Sequence, residues 1–372
     1  MTRRFESVAI TGVGTICSLG SGADALLSAL VDRRSGLQLL EDHADRLTDA
    51  RVGRISSLDV DAFVDPNRSR RMDRLSQLAV AAAWLAVRDA GLRRVGRDSP
   101  HHRLGVTFGS AYGCQNTELR YAEKLVTHGA HFTNPIDFPD SIDGAPAAHV
   151  AMELGVEGPS STHADGHLSG ELAFQHGVFD LVTGRADCVL AGGGDVWTPL
   201  LHQTLEALGE TAGGHAPPGE GVGYVVLERA ADAVARGARV YANVAALAHE
   251  GPDSRPDAWP EDATSSSAAS SQALREARVQ PAQVGVLSLA SAGEIEVDRV
   301  EQLMQSAVFG DWRPEPLKLY SLTGAIAGGG ILRIAAASLG MHRRLWSTDV
   351  RVVMHHAMTR GGQSLALLLQ RP

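Results

Sequence analysis

Histidine and cysteine are the side chains of this sequence best suited to do chemistry, by holding a metal ion or by nucleophilic attack. The fifteen histidines include the adjacent pairs His101–His102 and His355–His356, but no cysteine or carboxylate joins either pair at metal-ligand spacing. Cysteines are few and far apart, and we interpret Cys17 and Cys188 as packing residues. The sequence therefore predicts free thiols and no metal site.

A glycine-rich run, Gly219-Glu220-Gly221-Val222-Gly223, has the composition of a dinucleotide-binding loop. Such a loop follows a strand and opens a helix, whereas this run precedes the strand-like segment Tyr224–Leu227. We therefore expect no nucleotide, and no cofactor of any kind.

The elements that must position these residues alternate along the chain between strand-like and helix-like patterns. Strands are predicted at Val8–Gly14, Leu104–Ser110, Cys188–Gly194, Val240–Ala248, Val284–Leu289 and Leu317–Leu322. Helices are predicted at Gly22–Arg33, between Arg70 and Gly91, at Ser271–Ala277 and at Val300–Val308. This repetition predicts an α/β protein with two similar halves, 1–238 and 239–372.

The Pro-, Asp- and Ser-rich segment 251–271 indicates a surface loop that enters a helix. A disordered linker is the alternative, and Trp259 argues against it.

Composition limits the class of protein. With 372 residues, 44% of them hydrophobic, the chain is too long for a single small module. Its net charge of −9 makes nucleic acid a poor partner. The amino-terminal segment lacks the apolar core of a signal peptide, and no run is long and apolar enough to span a membrane, so we expect a cytoplasmic protein.

Seven short motifs occur in an order that resembles the beta-ketoacyl synthase family over nearly the whole chain. They are Thr11-Gly12-Val13-Gly14, Arg70-Arg71-Met72-Asp73-Arg74, Gly158-Pro159, Ala191-Gly192-Gly193-Gly194-Asp195, Gly219–Gly223, Leu322-Thr323-Gly324 and Gly361-Gly362. The resemblance implies a thiolase-like fold, in which two similar βαβαβ halves stack in five layers and the chains assemble as dimers.

The same resemblance implies that the reactive groups of the family are missing. Its cysteine nucleophile corresponds to His167, its first histidine to Ala290, and its Lys-Ser-Met-Thr-Gly-His run to Tyr320-Ser321-Leu322-Thr323-Gly324-Ala325. Condensation needs a thiolate and donors around an enolate oxygen, and alanine supplies neither. We interpret His167 as a structural residue; its action as a nucleophile is the alternative.

One branch of the family has this character, and the chain resembles it: the chain length factor, or ketosynthase-beta, of type II polyketide synthases. The resemblance implies a catalytic ketosynthase-alpha partner and an acyl chain, delivered on an acyl carrier protein, in a tunnel between the subunits. It places Cys114, Thr117 and Tyr121 on the tunnel wall. Their spacing puts them on one helical face, which a plain core-facing stripe would also require.

Two further positions follow from the resemblance. Arg360 stands at a gate normally held by phenylalanine, unless the alignment slips by one residue and Arg360 faces water. The strand before His167 lies where the family pairs strands across a two-fold axis, in a heterodimer or a homodimer; its residues are Ser160, Ser161, Thr162, His163, Ala164 and Asp165.

The sequence therefore predicts a non-catalytic chain length factor for polyketides or polyenes. One rival is an enzyme in which His167, with Asp165 or Glu294, decarboxylates a malonyl carrier or transfers an acyl group. The other is a stand-alone scaffold protein.

Overall fold

The computed structural model describes residues 7–42, 47–92, 103–209, 216–251, 255–256, 258–291, 293–346 and 349–372, without the side chains of 41–42 and 47–50. The first half contains the strands β1 (Val8–Cys17), β2 (Gly20–Ser21), β3 (Gln38–Asp42), β4 (Leu47–Val52), β5 (Leu104–Gly109), β6 (Ser160–His163), β7 (Cys188–Asp195) and β8 (Gly221–Arg229). Its helices are α1 (Ala23–Asp32), α2 (Pro66–Ser69), α3 (Arg74–Asp89), α4 (Gln115–His128), α5 (Ala145–Leu154), α6 (Ser169–Val182), α7 (Pro199–Ala207) and α8 (Ala230–Ala235).

The second half repeats this pattern in fewer residues. Its strands are β9 (Ala242–Glu250), β10 (Val286–Ser288), β11 (Glu315–Leu317), β12 (Val352–Met358) and β13 (Ser364–Gln370), and its helices are α9 (Thr264–Ala277), α10 (Ile295–Phe309), α11 (Tyr320–Thr323) and α12 (Gly330–His342). Short 3-10 helices lie at Val60–Ala62, Ala130–Phe132, Gly166–Leu168 and Pro281–Gln283.

The two halves have the same strand order. Read from the outer edge inward, the first half runs β6-β5-β7-β8-β1 and the second runs β11-β10-β12-β13-β9. In each half the three outermost strands pair in parallel and the remaining pairs are antiparallel. Antiparallel pairing of β1 with β9 joins the halves. The predicted α/β architecture with two similar halves is confirmed.

Three apolar clusters lie between helices and the sheet, and together they define the five layers of the fold. The central cluster packs α6 and α12 between the two halves of the sheet. A second cluster lies under α3 and α5 on the outside of the first half, and a third lies under α9 and α10 on the outside of the second. The fold is thus the thiolase-like arrangement expected from the sequence.

Helix α3 shows how the sequence builds these layers. Asp73 caps it, because its carboxylate accepts a hydrogen bond from the Leu75 amide at 2.9 Å. The helix lies directly on β1, where a Cβ atom at Gly14 would meet the Ala82 carbonyl oxygen at 2.1 Å. Glycine in the Gly12–Gly14 motif is therefore required for close packing.

Most predicted elements are confirmed within a few residues, but the predicted strand Leu317–Leu322 is wrong. The strand β11 ends at Leu317, and Tyr320–Thr323 forms the helical turn α11. Amides of Leu322 and Thr323 bond back to the Leu319 carbonyl oxygen at 2.9 and 3.1 Å, which closes this turn. A short apolar run gives a weak distinction between strand and helix.

The two outer edge strands of the sheet, β6 and β11, differ in whether they contain proline. Strand β6 carries no proline, whereas Pro316 lies in the middle of β11 and is exposed. Proline has no amide hydrogen, so β11 presents fewer donors along its edge than β6 does.

Candidate functional site

Four sequence positions meet in one cavity between the two halves. His167 lies on the turn before α6, Ala290 follows β10, Tyr320 begins α11, and Ala325 follows that helix. The cavity measures about 30 Å³. Since one water needs about 10 to 15 Å³ on this scale, the cavity admits water but not an acyl thioester.

Trp259 lines this cavity and packs against His167. Their ring centroids lie 4.9 Å apart, and the Arg360 guanidinium carbon lies 5.6 Å from the centre of the Trp259 ring. His167 is half-buried and also lines an open groove of about 590 Å³, together with Tyr112, Leu201 and Arg360. Arg360 therefore lies at the mouth of the cavity, with its charge over an aromatic face.

The electrostatics of the cavity favour an uncharged His167. Burial, reinforced by the charge of Arg360, lowers the pKa of His167 to about 4. In the described part of the chain no carboxylate hydrogen-bonds this imidazole. At neutral pH His167 is therefore a neutral ring without a carboxylate to orient it.

A buried ionic network lies behind the cavity. Arg333, 2% exposed, donates to Glu171 Oε1 at 2.5 Å and to the His356 carbonyl oxygen at 2.8 Å. His355 Nε2 lies 3.1 Å from the same Glu171 oxygen. Burial alone would raise the pKa of Glu171, but Arg333 and His355 lower it below its ordinary value. Burial also lowers the pKa of His355 to about 4, so Arg333 and Glu171 are the charged pair.

The loop after β10 is held by carboxylates from α10. Glu301 accepts a hydrogen bond from the Ala290 amide at 2.8 Å and lies 3.1 Å from His356 Nδ1. Asp298 accepts a hydrogen bond from Ser291 at 2.7 Å. Ala290 thus contributes only a methyl group to the cavity.

These contacts show what sequence spacing missed about the histidine pairs. His355 and His356 each reach a glutamate from a distant helix, whereas His101–His102 lies outside the described residues. Among the described residues, no group of three or more histidine, cysteine or carboxylate side chains is placed to hold a metal ion.

Asp195 connects three loops beside the cavity. Its buried carboxylate accepts hydrogen bonds from the Ser110 hydroxyl at 2.6 Å, the Tyr112 amide at 3.0 Å and the Gly328 amide at 2.6 Å. Burial raises the pKa of Asp195 even though these donors favour its charged form. The turn that leads into α4 is fixed in this way.

The three predicted tunnel residues lie along α4. Cys114 precedes its first turn and is buried, with Sγ 3.9 Å from the Ser76 hydroxyl, and burial raises the pKa of its thiol. The amide and hydroxyl of buried Thr117 both donate to Asp73 at 3.0 Å. Farther along, Tyr121 packs on Phe138 with ring centroids 5.8 Å apart.

Burial also raises the pKa of the Cys17 and Cys188 thiols, which agrees with their interpretation as packing residues. Cys17 and Cys188 are free and buried.

The predicted pairing strand lies at the edge of the sheet. The strand β6 bonds only to β5 among the described strands, and its residues are exposed to half-buried. The adjoining segment 115–143, which we call the projecting segment, exposes a set of large apolar side chains: Leu119, Leu125, Val126, Phe132, Ile136, Phe138 and Ile142. Large apolar side chains exposed in such number within one segment are typical of a contact surface.

Comparison with known proteins agrees with this thiolase-like, condensing-enzyme architecture. The beta-ketoacyl synthase N-terminal domain profile matches residues 5–233, more than half of the chain. The chain therefore belongs to the beta-ketoacyl synthase family.

Two curated relatives illustrate the sequence similarity. Nodulation protein E of Rhizobium sp. (strain N33) is 32% identical over 253 residues, which cover 64% of this chain and 62% of that protein, less than two thirds of its length. The putative polyketide beta-ketoacyl synthase 1 of Streptomyces virginiae is 29% identical over 375 residues, which cover 92% of this chain and 86% of that one.

Two solved structures share the fold. The ishigamide ketosynthase/chain length factor superposes with a TM-score of 0.86 at 21% identity, and the match covers 99% of this chain and 100% of that one. AntDE:AntF, a type II polyketide synthase acyl carrier protein in complex with its ketosynthase bound to the hexaketide, gives 0.86 at 20% identity with the same coverage. No helix in the described ranges has both the length and the apolar character needed to cross a membrane.

Proposed function

We propose that this chain is a non-catalytic chain length factor, which pairs with a catalytic ketosynthase and helps to set the length of an acyl chain carried by an acyl carrier protein. The observation that carries the proposal is the cavity at His167, Ala290, Tyr320 and Ala325. It holds about 30 Å³, and Trp259 lines it and packs against His167.

The side chains that line this cavity support the proposal that this chain does not catalyse condensation. Thioester exchange needs a thiolate, and no cysteine lines the cavity. Decarboxylation needs donors around the developing enolate oxygen, whereas Ala290 and Ala325, at the positions of the family's histidines, present methyl groups. The Arg333 guanidinium, which also lines the cavity, donates instead to Glu171 and to the His356 carbonyl oxygen. His167 is neutral at physiological pH because its pKa is lowered to about 4.

Surface features support a partner. Main-chain groups along the open edge of β6 can pair with a second strand. The apolar side chains of the projecting segment are exposed by 41 to 84% in the isolated chain, and a partner would cover them. The two solved structures that share the fold are a ketosynthase/chain length factor and a ketosynthase in complex with an acyl carrier protein.

The proposed tunnel wall is α4, with Cys114, Thr117 and Tyr121 on it. Product length gives the test. Thr117→Trp, assayed in the complex with its ketosynthase and carrier, should shorten the product, because a bulky side chain replaces a small one at a buried position. Thr127→Trp, on the exposed far end of the same helix, is the matched control and should leave the product length unchanged. Equal products from both variants would remove this position from the wall.

A second candidate is an enzyme with altered chemistry. The uncharged imidazole of His167 at the start of α6 and the synthase name of the Streptomyces virginiae relative favour it. In that case the purified chain, incubated with malonyl carrier protein, would release CO₂ or transfer the acyl group, and His167→Ala would abolish the reaction.

The decisive experiment is co-expression with a catalytic ketosynthase that retains the family's cysteine and two histidines. Our proposal expects co-purification of the two chains and no turnover of malonyl carrier by this chain alone. A failure to co-purify would favour a stand-alone scaffold. Turnover that depends on His167 would favour the altered enzyme.

A further inference from the structure

Two histidine rings pack at a tilt to each other on the face that borders the edge strand β6. His163 ends this strand, and its ring centroid lies 5.1 Å from that of His176 on α6. The ring of His176 also meets the edge of Phe179, whose side chain is 50% exposed. The histidine pair therefore belongs to a surface that is partly apolar and open to a partner.

The charged groups around the pair come from three elements. Asp180 on α6 lies 3.8 Å from His176 Nε2 and 3.3 Å from Arg185. Asp165 follows β6 and acts on His163 by its charge. Helix α5, which also packs on β6, carries His149 in a 2.6 Å contact with Asp140.

On the side that faces β5, the register partner of His163 is Gly109, next to Phe108, and neither residue is titratable. Burial, and then the neighbouring His176, lower the pKa of His163, while Asp165 and Asp180 oppose this shift. His163 thus sits beside a group that would repel its proton.

We propose that His163, held beside His176, makes the association of this chain through β6 sensitive to pH, so that the assembly loosens as the His163 imidazole takes up a proton. The inference rests on the proposed pairing with a ketosynthase. Covering β6 removes water from the His163 ring at the end of this strand, and a protonated ring there would be a cation taken out of solvent.

The direction follows from proton linkage. The neutral His163 ring is favoured in the assembly, so dissociation takes up a proton once the pH falls below the pKa of His163 in the free chain. One such proton changes Kd by at most about tenfold per pH unit. Because the pKa of His163 lies below its ordinary value, we expect a flat Kd above pH 7 and a several-fold increase, less than about tenfold, between pH 6.5 and 5.5.

The test measures the Kd of the purified complex by sedimentation at pH 7.5, 6.5 and 5.5. His163→Gln should flatten the increase at low pH, whereas His176→Gln should keep the increase and move its onset to higher pH. His249→Gln is the control, because it lies on β9, well separated from β6 in the sheet order. A second measurement, histidine NMR on the isolated chain, should show that His176→Gln moves the pKa of His163 upward.

Each outcome has a distinct meaning. If the two variants keep the pH dependence of the unaltered chain, or if Kd does not change with pH, the histidine inference is overturned and the pairing stands. If no complex forms at pH 7.5, both the proposed function and this inference are overturned.

Discussion

Removing one member of the buried pair Arg333–Glu171 should strongly destabilise the protein. Arg333 is 2% exposed and Glu171 is fully buried, so neither charge can turn to water when its partner is lost. Breaking such a pair on one side costs about 3 to 5 kcal/mol. We therefore expect a loss of that size in the free energy of unfolding for Glu171→Gln, and a similar loss for Arg333→Met.

The double variant distinguishes this argument from a simple packing effect. Glu171→Gln/Arg333→Met removes both charges at nearly unchanged volume, so it should lose less stability than either single variant. Glu171→Gln keeps an oxygen that can accept from His355. A coupling energy of several kcal/mol is expected.

Urea unfolding followed by circular dichroism gives the four free energies of the cycle. Asp24→Asn is the control, since Asp24 is 96% exposed in its 3.8 Å pair with Arg343 and should matter by less than about 0.5 kcal/mol. Single losses below about 1 kcal/mol, or losses that simply add in the double variant, would refute the reasoning.

Three further outcomes are expected. Because the pKa of His355 is about 4 in the folded chain and 6.5 otherwise, stability is complete above pH 6.5 and should fall by about 3 kcal/mol toward pH 4; a urea midpoint that stays constant from pH 7.5 to 4.5 would contradict this. Trp259→Ala should uncover more of half-buried His167, so that diethyl pyrocarbonate modifies this ring faster, as mass spectrometry can measure; an unchanged rate would mean that the indole does not shield the ring. Gly192→Ala should lower stability by about 1 to 3 kcal/mol in thermal unfolding, since its Cβ would lie 2.3 Å from a buried tyrosine ring, whereas Gly251→Ala, with open space around it, should be neutral.

Much of the fold could be predicted from the sequence because its signals are local. Runs such as Val8–Gly14 and the capped helix after Asp73 indicate their own conformation. The exception, Leu317–Leu322, lies at the sheet edge, where a three-residue strand and a helical turn share one apolar run. Motif order, rather than local pattern, identified the four positions around the cavity.

The rest of the site depends on contacts that sequence spacing does not encode. Glu171, Arg333 and His355 come from α6, α12 and β12, and only the folded layers bring them within hydrogen-bond distance. Arg333 lies in a helix that is otherwise almost wholly buried and apolar, so its position gives no hint of a partner. Trp259 comes from a loop, and in the sequence it argued only against a disordered linker, with no sign that it packs on His167.

Pro316 limits how far this sheet can grow. The edge at β6 is free to add a strand from another molecule, while the proline in the opposite edge, β11, interrupts the row of donors that a further strand would need. A molecule in which only one sheet edge can pair with another molecule forms a closed dimer. Two edges able to pair would instead allow an open-ended fibre. Replacing this single imino acid would remove a safeguard against aggregation.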